Sequence, residues 1–391
     1  MKKTTLATLV GAAAFAAAGA ANATIVVGGE NGYEFSVDGN INQFFVQSDA
    51  DVAGGGSNDN SRVRNGLLPT FFGFNVKAPE INGLTVGARV SISPSTNGGS
   101  YFNEGQNGSA MEQREAFATV DGAFGQVMLG KGLGLYGSHN ILLDQTLYGV
   151  GAVVAGNSDN GQTTLGRIGY GYDYADWRSQ MRWTSVDMAG FKVALAVMDA
   201  DEVGTLAGGS AEKDPRYEAD LSYATNFDGG MFKAWLSGMT QKIDGAGGDI
   251  KSNAWTLGAN LGLGGFDFVA AYYDNKGVGD LGGLAFGSAT DANGKERDGD
   301  GYYVQAGYTF AGVTAVKASY GESTLDLTSA EKAGTIATYD IDKRSMWTVG
   351  VYHDVTSNLK LVAEYSQMED EFHSGGELDT DVLAIGGFIS W

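Results

Sequence analysis

Residues 33–41 alternate strictly: Tyr33, Phe35, Val37 and Ile41 fall on one face, and Glu34, Ser36, Asp38, Asn40 and Asn42 on the other. The period is two, the signature of a β-strand with one apolar and one polar side. The pattern returns at Leu84, Val86, Ala88, Val90 and Ile92 against Thr85, Arg89 and Ser91. It returns again at Tyr217, Ala219, Leu221 and Tyr223 against Glu218, Asp220 and Ser222, and at Leu359, Leu361, Ala363 and Tyr365 against Lys360, Glu364 and Ser366. Helical periodicity is scarce, so the alternation predicts an all-β chain.

A soluble sandwich alternates as well, and the connections separate the two possibilities. Short ones lie near 79–83, 121–123, 186–190, 227–230, 262–265, 310–312 and 355–358. Long, polar, Gly-rich ones lie near 48–69, 93–110, 132–178, 199–215, 242–252, 275–300, 322–343 and 368–380. Seven short and eight long connections in strict alternation imply sixteen strands, with one neat end and one elaborate end. This is the asymmetry of an outer-membrane β-barrel, in which closure pairs every backbone group within the hydrocarbon layer. The apolar face then meets lipid. Sixteen strands enclose a lumen too wide for side chains to fill, so the polar face lines water. Trp183, Tyr223, Tyr272, Tyr308, Tyr320, Tyr365 and Trp391 sit near strand ends, where interfacial aromatic girdles belong.

Composition narrows the reading further. Of 391 residues, 61 are Gly and only 4 Pro, which disfavours helices and suits a chain of turns and loops. The net charge of −21 opposes a nucleic-acid binder, and the lack of Cys removes disulfides, thiolate nucleophiles and cysteine metal sites. Residues 1–23 have Lys2 and Lys3, an Ala-rich apolar run and a small-x-small ending at Ala21-Asn22-Ala23, the layout of a cleaved secretory signal peptide. Residues 24–391 are then one exported barrel domain with a net charge of −23, and no transmembrane helix follows.

These segments resemble the general porins of Gram-negative bacteria along nearly the whole exported chain. The stretch REAFATVDGAFGQVMLGKG at 114–132 is similar to that family's fourth strand, tight turn and fifth strand. MRWTSVDMAGFKVALAV at 181–197 is similar to its sixth and seventh strands. VDGNINQF near 37–44, GFNVKAPEINGLTVGARV at 73–90 and the terminal DVLAIGGFISW resemble the corresponding hairpins and closing strand. The resemblance implies a homotrimer in the outer membrane, whose third external loop folds into the lumen and narrows it to an eyelet. Small hydrophilic solutes and ions would diffuse through it passively, with no cofactor and no catalysis. Outer-membrane lipid and lipopolysaccharide would surround it.

The longest connection is the third, 132–178, as the resemblance requires. By the same resemblance Arg114, Lys131 and Arg182 stand for the cations of the eyelet wall. Alternation adds Arg89 and Arg178 as lumen-facing candidates. Asp144 is the first choice for the opposing acid, with Asp173 and Asp176 behind it. The strand-two arginine of many relatives reads Phe71 here, and the chain ends in Trp391 where Phe is usual. Fixed cations facing anions would set a transverse field that orients polar solutes.

Two other readings compete. Tyr170, Tyr172, Tyr174 and Trp177 cluster in the third loop, either as a stacking slide in a sugar-selective pore or as anchors of the loop. A hydrolase would need a nucleophile and a positioned base, but His139, His353 and His373 sit in no recognisable motif. DANGKERDGDG at 291–301 has oxygen ligands at Ca²⁺-like spacing without the full loop pattern, so a solvated acidic loop is expected.

Overall fold

The computed structural model describes residues 25–52, 56–96, 111–153, 163–200, 211–245, 248–284 and 288–391. Residues 1–23, expected from the sequence to be a signal peptide, lie outside the described residues.

Sixteen antiparallel strands close on themselves. In chain order they are β1 Glu34–Val52, β2 in two pieces Ser57–Arg64 and Phe71–Lys77, β3 Thr85–Pro94, β4 in two pieces Met111–Glu112 and Ala116–Gly122, and β5 Gly125–Leu133. Then come β6 Trp177–Thr184, β7 Phe191–Met198, β8 Ala211–Phe227, β9 Gly230–Gly245, β10 Gly248–Leu263 and β11 Phe266–Lys276. The last are β12 Asp298–Phe310, β13 Thr314–Leu325, β14 Ile341–Thr356, β15 Leu359–Phe372 and β16 Glu377–Ser390. Each strand pairs with the next, and β16 pairs with β1 from Leu378↔Val52 to Ser390↔Asn40, which removes the open edge. A short strand, Ile25–Gly28, pairs with the start of β1 just beyond the end of β16.

Closure at the last residue depends on a close approach. Gly39 and Trp391 exchange backbone hydrogen bonds at 3.0 and 3.1 Å, and the Trp391 ring packs on Phe72 at 5.1 Å between centroids. A Cβ on Gly39 would stand 2.7 Å from the indole, so only glycine admits the ring there.

Alternation sorts side chains as the sequence implies. On β10, Trp255, Leu257, Leu261 and Leu263 face out, while Ser252, Thr256 and Asn260 are buried inside. Exposed apolar side chains on a closed barrel are lipid contacts, not a folding fault. Two aromatic belts bound the apolar band. Trp255–Tyr272, Tyr302–Tyr320 and Trp347–Tyr365 form one, and Phe191–Tyr223, Phe266–Tyr308 and Tyr308–Phe310 form the other.

All seven short connections lie where expected. Three of the long ones do not: 48–69, 242–252 and 368–380 are mostly strand, because the β1–β2, β9–β10 and β15–β16 hairpins continue beyond the upper aromatic belt. The outer face of each strand meets water there instead of lipid and turns polar, while the inner face stays buried, as with Ile243 and Ile250 packed on Ala200 and Ala289, so the outward apolar half of the alternation is lost while the backbone ladder continues. The outward faces of the adjoining β1–β2 and β15–β16 hairpins are acidic, with Asp49 opposite both Asp59 and Asp381, and Asp51 opposite Asp379.

A lumen gap between the inner loop and the wall

The chain leaves β5 at Leu133 and rejoins the wall at Trp177; in between, its described residues, 134–153 and 163–176, lie inside the barrel. Gly137, at φ 75°, begins helix α1, Ser138–Leu143. A 3₁₀ turn, Gln145–Tyr148, follows. Apolar side chains of the loop, among them Ile141, Leu147, Ile168 and Tyr172, pack with Trp235, Val269, Tyr303 and Phe388 of the wall and with Leu67 and Leu68 from the interruption of β2.

Polar anchors run along one side of the barrel from β8 to β15. Glu218 accepts the N–H groups of Leu135 and Tyr136 at 2.6 and 2.9 Å, and Arg216 bonds its other oxygen. Asn140 bonds Thr256 and Trp235, and Gln305 accepts the Gln145 N–H. Glu364 accepts the Val150 N–H at 2.6 Å and the Tyr352 hydroxyl at 2.5 Å. Arg167, fully buried, donates to the Met346 carbonyl at 2.7 Å and to Ser319. Tyr170 donates to Asp370, and Asp173 accepts from Tyr136 and Asn275. A loop with so many buried partners is ordered by the wall it lies on.

The opposite side, β2 to β6, leaves a gap. One cavity of about 440 Å³ lies between Leu142, Leu165, Ile168 and Tyr174 of the loop and Leu67, Arg114, Lys131 and Trp177 of the wall. A second, about 410 Å³, lies toward the short-turn end and is bordered by His139, Arg182, Lys192, Asp220 and Lys233. Leu133, Leu142 and Trp177 border both.

The expected eyelet residues divide into two groups. Arg114 and Lys131 border the first cavity and Arg182 the second. Arg114 gets there through a bulge. Between the Val90↔Ala116 and Ser93↔Glu112 pairs, β3 advances three residues and β4 four, and the extra residue re-aims the side chain onto Glu112 at 2.8 Å. Arg182 donates to the Leu133 carbonyl at 3.4 Å and contacts the Met128 sulfur at 3.0 Å.

Arg89, Arg178 and Asp144 are buried and border neither cavity. Arg89 bridges Asp38 and Glu115, each at 2.7 Å, with Phe71 under its guanidinium at 5.7 Å. Arg178 pairs with Asp176 at 3.2 Å. Asp144, expected as the opposing acid, is a helix cap. It accepts the Thr146 N–H at 3.0 Å, and its other oxygen accepts the hydroxyls of Thr146 and Tyr172. The acids that border the first cavity are Glu112 and Asp176.

Other candidates resolve similarly. Tyr170 and Tyr172 are buried anchors, whereas Tyr174 and Trp177 border the cavity. His139 contacts Asp220 at 3.0 Å, His353 contacts Thr314 at 2.8 Å, and His373 contacts the Leu325 carbonyl at 3.1 Å. Asp291 is not a solvated acid. One oxygen accepts the N–H groups of Asn293 and Lys295, the other the Thr328 hydroxyl, which ties 277–297 to 326–340. Sequence reading passed over Lys192 and Lys233 at the second cavity, and Arg62 and Arg64 on the inner face of β2. Counting alternation inward from the short turns picks out the two lysines, on the same faces as Ala194 and Trp235.

The model of the Gram-negative porin family matches residues 7–373. The chain belongs to that family. Solved structures agree on the fold. The outer membrane channel DcaP of Acinetobacter baumannii superposes with a TM-score of 0.70 at 13% identity, covering 94% of this chain and 100% of its own. The anion-selective porin from Comamonas acidovorans gives 0.64 at 16% identity, covering 92% and 100%. Salmonella typhi OmpF, solved with daunomycin, gives 0.58 at 15%, covering 92% and 98%. Among curated proteins no sequence matches. This porin is therefore an outer-membrane channel for passive diffusion, and its short turns face the periplasm.

Proposed function

We propose that solutes cross this porin through the gap between the inner loop and the β2–β6 wall, past Arg114, Lys131 and Arg182. The observation that carries this reading is the one-sidedness of the polar side-chain anchors: they go to β8–β15, whereas on the side of these three cations the loop meets β2 through backbone bonds, Leu67 N–H to Gly149 and Thr164 N–H to Gly66, and leaves the two cavities open. Glu112 and Asp176 border the same cavity but are paired with Arg114 and Arg178, so Lys131 and Arg182 carry the field. The channel works without catalysis, as membership of the porin family supports.

The working unit is a homotrimer set in outer-membrane lipid. Above the upper aromatic belt the acidic outer faces of β1, β2, β15 and β16 meet lipopolysaccharide, with divalent cations offsetting carboxylates that stand directly opposite one another. Burial of Tyr170 and Tyr172 favours the diffusion pore over a sugar slide. In planar bilayers, Arg114→Gln with Arg182→Gln is expected to move the reversal potential in a salt gradient toward cation preference. An unchanged potential overturns the eyelet assignment, and closure of the wild-type current in other than three equal steps overturns the trimer.

A further inference from the structure

We infer that the gap selects small organic anions with an apolar body, such as aromatic or branched aliphatic carboxylates, over sugars and over equally charged polar anions. The inference rests on the pore reading above and names its preferred solute.

Among the described residues, each carboxylate that borders the two cavities has a partner. Glu112 pairs with Arg114 at 2.8 Å, and Asp176 pairs with Arg178 and accepts the Trp177 N–H. In the second cavity Glu115 pairs with Arg89, Asp220 contacts His139, and Asp187 accepts the Gly190 N–H. Four bordering cations make no direct ion pair among the described residues: Lys131 in the first cavity and Arg182, Lys192 and Lys233 in the second, where Asp220 acts electrostatically on Arg182 and Lys233. A cation in a narrow, low-dielectric passage that is not tied into a direct ion pair raises the local concentration of anions. Lys131 lies toward the outside, and Lys192 and Lys233 lie beside the periplasmic turns, so an anion meets such cations on either side of the neck.

The neck supplies the second preference. Leu133, Leu142 and Trp177 border both cavities and separate the cationic stations, and Leu165 and Ile168 extend the apolar surface outward. Leu133, Leu142 and Trp177 are only partly buried, so a passing solute can cover them. Covering apolar surface gains about 25 cal/mol per Å², which a polyol or a hydroxylated anion cannot collect. Each cavity, at about 440 and 410 Å³, has the volume of a small-ligand site.

The test uses the full-length porin in planar bilayers, with potassium benzoate, potassium gluconate and potassium chloride as probes and glucose as the uncharged control. Anion preference in a chloride gradient is expected, with benzoate permeating or blocking the current at concentrations where gluconate and glucose do not. The triple variant Lys131→Gln, Lys192→Gln, Lys233→Gln should lower the anion-to-cation permeability ratio by about threefold or more. Leu142→Asn should narrow the benzoate-to-gluconate ratio while the chloride-to-potassium ratio holds. Lys343→Gln, on the outer face, controls for a change in total charge. Equal behaviour of benzoate and gluconate, a cation-preferring wild type, or a triple variant with unaltered selectivity overturns the inference. A wild type that inserts but carries no ion current overturns the pore reading itself.

Discussion

Glu364 on β15 accepts the backbone N–H of Val150 at 2.6 Å, joining the inner loop to the wall across 214 positions of sequence. A Cβ on Gly149, the preceding residue, would fall 2.0 Å from the same carboxylate, so the contact forms only because position 149 is glycine. Gly149→Ala forces loop and wall apart, and Glu364→Ala leaves the Val150 N–H and the Tyr352 hydroxyl without their acceptor. Each buried group so stranded costs about 1–3 kcal/mol. The expected outcome is a noisier open channel that closes at lower voltage. A variant current as quiet as the wild type's would show that Glu364 does not hold the loop.

Arg89 is expected to matter for assembly more than for selectivity. It is the one cation among Asp38, Glu115 and Asn75, and it joins β1, β2, β3 and β4 from the inside. Arg89→Met strands two carboxylates and should cost about 3 kcal/mol or more, as breaking buried pairs does. Adding Asp38→Asn and Glu115→Gln should restore much of the loss. Thermal unfolding of detergent-solubilised protein reads both effects, and a triple variant no better than Arg89→Met would disprove the charge explanation.

The external loops carry an acid-sensitive clamp. Burial raises the Glu331 carboxyl, but hydrogen bonds from Arg297 and from the N–H groups of Thr328 and Tyr339 outweigh it and hold its pKa at about 2. Because the folded value is depressed, the clamp contributes its full stability above the ordinary glutamate value of about 4.3 and loses it as pH falls from there toward about 2. Hydrogen-exchange protection across 326–340, taken relative to the intrinsic rate at each pH, should therefore fall in that window. Glu331→Gln should show the lower protection already at neutral pH, and a protection that does not change with pH in the wild type would argue against the clamp.

How legible this porin was in its sequence varied with the environment of each segment. Alternation marks a strand only where one face meets lipid. The strands within the apolar band and all seven short turns could therefore be read directly, whereas the outer parts of the β1–β2, β9–β10 and β15–β16 hairpins read as loops. The resemblance to porins located the inner loop and three cations that border the gap, Arg114, Lys131 and Arg182.

Direction within the loop was another matter. Asp144 precedes a 3₁₀ turn whose first free N–H needs an acceptor, and that local demand turns it inward, away from the gap. Arg114 reaches the gap through a bulge that strand parity does not reveal.

By itself, then, the sequence determined the closed barrel and its two unlike ends, because both follow from period-two alternation and the need to pair backbone groups in hydrocarbon, while the entry of the third loop came from the resemblance to porins. Only the tertiary structure decided which charges are spent on one another and which are left to solutes, because ion pairing depends on side chains brought within a few ångströms from distant strands.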